Sequence, residues 1–142
     1  MNTDEMIRQI LKTTRTIASV GLSANPTKPS YGIGLYLKNH GYDLIPVNPS
    51  ADEIFGLKVY PDLISIPRPV DVVQVFRPSS EVPPVVDQAI QIGAKVVWMQ
   101  VGISNPEAAE TAGAAGLMVV MDHCMREEHI RIYGHRLFPL SA

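Results

Sequence analysis

The chain has 142 residues, 46% of them hydrophobic and 18% charged, with a formal net charge of −2. That length suits one domain without a second core, the hydrophobic share excludes a disordered tail, and the slight acidity leaves no footprint for nucleic acid. A single cysteine, Cys124, excludes an intrachain disulfide and suits a reducing compartment.

In chain order, Met6, Ile7, Ile10 and Leu11 form one apolar stripe and predict an amphipathic N-terminal helix within residues 1–14. Thr16–Val20 reads as a short buried strand stopped by Gly21. The loop from Leu22 to Pro29 holds the breakers Asn25-Pro26 and Lys28-Pro29. Ser30 is expected to cap a helix over Tyr31–His40, with Gly41 as its stop. A second strand, Asp43–Val47, ends at Asn48-Pro49. A polar turn follows, then Lys58–Tyr60 and a short helical piece at Leu63–Ile66. Val70–Phe76 is a third strand, apolar except for Asp71 and Gln74. A helix with Pro83 and Pro84 in its first turn closes at Gly93. A fourth strand, Lys95–Met99, a helix from Pro106 to Ala115, a fifth strand, Leu117–Met121, and a helix starting near Asp122 complete the series, with 134–142 as a tail.

No apolar run approaches the roughly 18 residues a membrane span needs, and the N-terminus lacks a signal peptide's continuous apolar core. A cytoplasmic single domain over 1–142 is expected, with no membrane or nucleic-acid partner. Apolar strands joined by helical crossovers too long for hairpins specify an α/β fold. The leading topology is a doubly wound, Rossmann-like domain with a mostly parallel five-stranded sheet. Ligands of such sheets bind beyond the carboxyl ends of the strands. There lie Gly21 to Ser30 after strand one, Asn48 and Pro49 after strand two, and Phe76, Arg77 and Pro78 after strand three. Gln100, Val101 and Gly102 follow strand four, and Asp122, His123 and Cys124 follow strand five. Gly21 lets backbone approach a phosphate, a helix start near Ser30 offers amides to an anion, and Ser23 and Lys28 add a hydroxyl and a cation. The dinucleotide fingerprint is missing: no G-x-G-x-x-G follows strand one, and strand two ends on Asn48 rather than an acid. No G-x-x-x-x-G-K-[ST] phosphate loop is present either.

The segments Ile17–Ser23, Gly41–Pro49, Val70–Arg77, Val97–Gly102 and Asp122–Arg126 resemble those of the small CoA-binding-domain proteins. These stand-alone relatives share their fold with the N-terminal domain of the succinyl-CoA synthetase α subunit. The similarity runs in order from about residue 15 to 133. It implies coenzyme A as cofactor, with the diphosphate against Gly21, Leu22 and Ser23 and with Lys28 and Ser30 flanking it. Val47, Asn48 and Pro49 would meet the ribose end, and Phe76, Arg77 and Pro78 the adenine. Val101 and Gly102 would line the exit of the pantetheine arm. Lys28 and Arg77 both qualify to meet the ribose 3′-phosphate. The synthetase relatives hold their phosphohistidine and nucleotide chemistry in other domains, which makes a non-catalytic carrier, sensor or regulatory module the leading expectation.

An enzyme acting on CoA or an acyl-CoA through Cys124 or a partner chain is the alternative; a degenerate dinucleotide-binding interaction module is another. If Asp122 caps the last helix, Cys124 falls in its first turn, where a thiol's pKa is lowered, and a mixed disulfide with CoA becomes conceivable. The leading expectation for Cys124 is a buried small residue packing the sheet edge. His123 and His129 do not converge on one helix face, so no metal is expected. Apolar surface on the first and last helices would suit a homodimer.

Overall fold

The computed structural model describes residues 1–140. Its elements are α1 (Thr3–Thr13), β1 (Thr16–Val20), α2 (Pro29–Asn39), β2 (Asp43–Val47), β3 (Glu53–Ile54), β4 (Leu57–Lys58) and β5 (Val72–Val75). After them come α3 (Val82–Gln91), β6 (Val96–Met99), α4 (Pro106–Ala114), β7 (Met118–Val120) and α5 (Met125–Tyr133). Five strands form one parallel sheet in the order β2-β1-β5-β6-β7. The chain runs outward from β1 to β2 and then resumes on β1's other side at β5. The order therefore reverses between β1 and β5, and the loops leaving those two strands diverge there.

Alternate side chains of the sheet enter separate cores. Ile17, Val72, Val96 and Trp98 pack with α1, α2 and α5 residues such as Ile10, Leu37 and Met125. Ala18, Val73, Val97 and Met99 pack with Val82, Val86, Ala89 and Ala112 of α3 and α4. Burial on both faces explains the almost unbroken apolar strands; each fully buried valine or isoleucine contributes about 1.5–3 kcal/mol. The exception Asp71, just before β5, is structural. Its carboxylate accepts from the backbone N–H of Arg15 (2.9 Å) and Thr16 (3.1 Å) and pairs with Lys95 (3.2 Å). It thereby ties together the starts of three neighbouring strands.

Four expectations need correction. Residues 62–65 form turns rather than a helix: Asp62 Oδ1 accepts from Ser65 N–H at 2.9 Å, closing the chain before one helical turn completes. The polar stretch after β2 contains a small antiparallel hairpin, β3 with β4. The stripe of α1 fills this domain's own core, with Ile7, Ile10 and Leu11 at most 1% exposed, so it is not the apolar surface expected on the first helix. Finally, the segment after α5 is part of the fold through Leu140. Phe138 N–H donates to His40 O at 2.7 Å, and Leu140 is buried; Ser141 and Ala142 lie outside the described residues. Among the described residues no helix is long and apolar enough to cross a membrane.

Candidate functional site

The site begins at Gly21. Its φ of +88° is one that L side chains rarely adopt, and a Cβ there would stand 3.0 Å from Arg77 Cδ and 3.2 Å from Phe76 O. Only glycine lets the chain leaving β1 turn while lying against the end of β5. The next residue is an anchor: Leu22 is fully buried, and a Cβ at Gly34 of α2 would come within 2.8 Å of its Cδ1. Leu22 O accepts from Asn48 Nδ2 at 2.9 Å, while Asn48 Oδ1 accepts from Ser50 N–H at 2.8 Å. The Asn48 amide is thus committed on both sides.

Beyond the anchor, short polar side chains fold the loop. Ser23 Oγ accepts from Asn25 N–H (3.0 Å), and Asn25 Oδ1 accepts from the backbone (3.0 Å) and hydroxyl (2.8 Å) of Thr27. Ser30 does not cap α2, contrary to expectation. Pro29, with its φ preset, takes the first helical position and moves the cap to Lys28, which makes no side-chain cap bond. Ser30 Oγ instead turns back to accept from Ser23 N–H at 3.0 Å. The positive end of α2 therefore opens toward the rim without a protein cap.

The last helix is also displaced from its expected start. Asp122 sits at φ +59°, and its Oδ1 accepts from Gly102 N–H at 2.7 Å. It clamps the β6 loop instead of capping α5. Cys124 becomes the N-cap residue and makes no side-chain cap bond. Since β7 lies three strands from β1, its end is roughly 14 Å from Gly21 by strand spacing. The chain recovers that distance by folding back over β6: Trp98 Nε1 donates to His123 O (2.8 Å), and His123 N–H donates to Met99 O (3.3 Å).

Two clefts result, meeting at a ridge formed by Gly21, Asn48 and Arg77. The larger, about 820 Å³, lies between the starts of α2 and α5, over the ends of β5 and β6; Ser23, Lys28, Ser30, Phe76, Val101 and Cys124 line it. The smaller, about 360 Å³, lies over the end of β2, between Val47 and Pro49 on one side and Arg77, Glu81 and Gln88 on the other. Of the thirteen expected ligand contacts, ten line one or both clefts. Leu22, Pro78 and Gly102 line neither. Leu22 is committed to the core, Pro78 precedes the 3-10 turn Ser79–Glu81, and Gly102 is bound to Asp122.

The cations differ. Arg77 is held by Glu81 at 2.6 Å, with both side chains more than 40% exposed. Lys28 and Arg126, which line the larger cleft, have no carboxylate partner among the described residues. Arg126 sits in the first turn of α5, and its Nη1 lies 3.3 Å from where Gly32 of α2 would carry a Cβ. A cation there opposes the helix dipole, which favours a role other than helix stability. That inversion was the available signal for Arg126, which the sequence reading passed over.

Sequence reasoning placed Gln100 at the rim without assigning it a contact. Its side chain is 3% exposed and lines the larger cleft. It ends a buried polar chain: Ser19 Oγ donates to Gln74 Oε1 (2.9 Å), Gln74 Nε2 to Gln100 Oε1 (3.1 Å), and Met125 N–H also to Gln100 Oε1 (3.1 Å). Among the described residues no group of three His, Cys, Asp or Glu side chains is placed to hold a metal.

Residues 15–130 match the family described as CoA binding domain. The uncharacterized protein YneT of Bacillus subtilis is 38% identical over 123 residues, which span 87% of this chain and 91% of that protein. An ADP-forming acetate–CoA ligase II of Archaeoglobus fulgidus is 37% identical over 83 residues, 57% of this chain but 12% of the ligase. A solved structure of a hypothetical protein from Pyrococcus horikoshii OT3 superposes with a TM-score of 0.90 at 44% identity, over 94% of each chain.

Proposed function

We propose that this chain, which belongs to the CoA binding domain family, binds coenzyme A or an acyl-CoA as a non-catalytic carrier, sensor or regulatory module of the cytoplasm. One observation carries the reading. The two clefts meet at a glycine ridge beside an uncapped helix start, so a ligand with two arms joined by a diphosphate fits across them. The diphosphate lies over the Gly21–Ser23 backbone, with Lys28 and Ser30 beside it. Val47, Asn48 and Pro49 border the ribose and Arg77 the adenine, while Phe76, expected at the adenine, lines only the larger cleft and so borders the other arm. The pantetheine arm runs through the larger cleft past Val101 toward Cys124.

Two features argue against the other readings. A redox dinucleotide calls for an acid at the end of β2, where the amide of Asn48 is already bonded to Leu22 and Ser50. Thiol catalysis calls for a base that takes the proton of Cys124; no histidine lines the cleft that Cys124 borders, and among the described residues Glu127, the carboxylate that does, makes no hydrogen bond to the thiol.

Titration calorimetry and thermal shift with CoA, dephospho-CoA and NAD test the proposal. A ligand selective for the folded state raises the melting temperature as its concentration passes its Kd. CoA is expected to stabilise most, dephospho-CoA less, and NAD little. A flat calorimetric trace with CoA, or stabilisation by NAD equal to that by CoA, removes it. Mass analysis of small molecules released on denaturing fresh protein gives an independent reading.

A further inference from the structure

We infer that Gln100 is a specificity-determining residue that donates, through Nε2, to a carbonyl oxygen of the ligand arm lying in the larger cleft. This rests on the CoA reading above and names the group of that ligand which the residue recognises. The argument starts from the backbone N–H of Met125, which can only donate. The Gln100 atom 3.1 Å from it is therefore the oxygen. That oxygen also faces Gln74, so the Gln74 atom facing it must be the amide nitrogen, and Gln74 turns its own oxygen to Ser19, whose hydroxyl donates. A single main-chain donor at the start of α5 sets the direction of every bond back to β1.

The consequence falls on Nε2 of Gln100. Its oxygen is doubly occupied, so an amide flip would bring two donors face to face at Met125. The nitrogen has no protein partner among the described residues, yet it is not among the polar atoms sealed from solvent. It opens into the larger cleft as a donor, never as an acceptor. Phe76, Val101 and Ile103 line the same cleft. A neutral donor in apolar surroundings suits a neutral carbonyl better than a phosphate. Position agrees: β6 lies two strands from β1, about 10 Å from the glycine ridge by strand spacing, where the arm passes and the diphosphate does not. The carbonyl is an amide of the pantetheine arm or the thioester of an acyl-CoA.

Gln100→Glu tests this. A carboxylate still accepts from Met125 and Gln74 but presents an acceptor to the cleft. Acetyl-CoA is expected to bind about tenfold or more weakly, while adenosine 3′,5′-bisphosphate, which lacks the arm, stays within about twofold. Gln100→Met, which neither donates nor repels, is expected to lose less acetyl-CoA affinity than Gln100→Glu and serves if the buried carboxylate prevents folding. Equal losses for CoA and acetyl-CoA identify a pantetheine amide; a larger loss for acetyl-CoA identifies the thioester. Unchanged affinity for both CoA and acetyl-CoA in a folded variant overturns the inference, and so do equal losses for acetyl-CoA and the bisphosphate, which would mean that Gln100 acts through the fold. Absence of CoA binding by the wild-type chain would instead sink the proposed function, and this inference with it.

Discussion

Gly21→Ala puts the geometry of the ridge to a quantitative test. Two costs add. Holding alanine at φ +88° costs about 1–2 kcal/mol. The new Cβ also meets Phe76 O at 3.2 Å. The backbone on both sides is pinned, since Gly21 N–H donates to Val47 O and Phe76 N–H to Val20 O, each at 2.9 Å. Arg77 Cδ, at 3.0 Å, can swing aside, but the backbone carbonyl cannot. Crowding against it adds about 1 kcal/mol, so the total is about 2–3 kcal/mol. At about 4 °C per kcal/mol for a chain of this size, the melting temperature falls by about 8–12 °C.

Gly93→Ala is the control. Gly93 has φ +73° and no atom within 4 Å of its would-be Cβ, so it carries the conformational cost alone, about 1–2 kcal/mol. Urea unfolding of wild type and both variants, with unchanged m-values, gives the two increments. If Gly21→Ala loses no more stability than Gly93→Ala, the close approach of the ridge to β5 is wrong. If neither variant is destabilised, the left-handed conformation is wrong as well.

Three further outcomes are expected. Glu81→Gln frees Arg77 from an exposed ion pair worth about 0.2–1 kcal/mol, so CoA should bind up to about fivefold tighter at low salt; weaker binding in calorimetry would give Glu81 a direct part in the site. His129 is fully buried, with Nδ1 2.7 Å from Tyr36 Oη, and burial together with His40 and His135 holds its pKa below the usual 6.5. The unfolded chain therefore takes up a proton that the fold resists, and stability falls as pH drops through about 6.5. His129→Phe should flatten that slope in unfolding measured from pH 8 to 5, and an unchanged slope would assign it to other groups. Cys124→Ala, tested under reducing conditions, should bind CoA within about twofold of wild type, because the cations of the rim and the start of α2 rather than the thiol hold the ligand; a larger loss would bring the thiol into binding.

The order of strands and helices was legible because hydrophobic periodicity and breaker residues act over a few positions. Thr16–Val20 and Asp43–Val47 appear in the structure with the bounds expected from the sequence. Cap positions were less legible. Pro29 displaced Ser30 as the expected cap, and Asp122 gave up capping α5 to bind Gly102, a partner 20 residues away.

What the sequence alone determined is the alternation of buried strands and amphipathic helices, the single-domain scale and the stretches that gather at the rim. What only the tertiary structure decided is how the polar exceptions pair. Asp71 meets Arg15 and Thr16 across 56 and 55 residues, and Gln74 joins Ser19 to Gln100 across 55 and 26. A polar residue inside an apolar strand announces that it must find partners once water is excluded. Which partners it finds depends on strand order and register, and those are settled when both faces of the sheet are buried together.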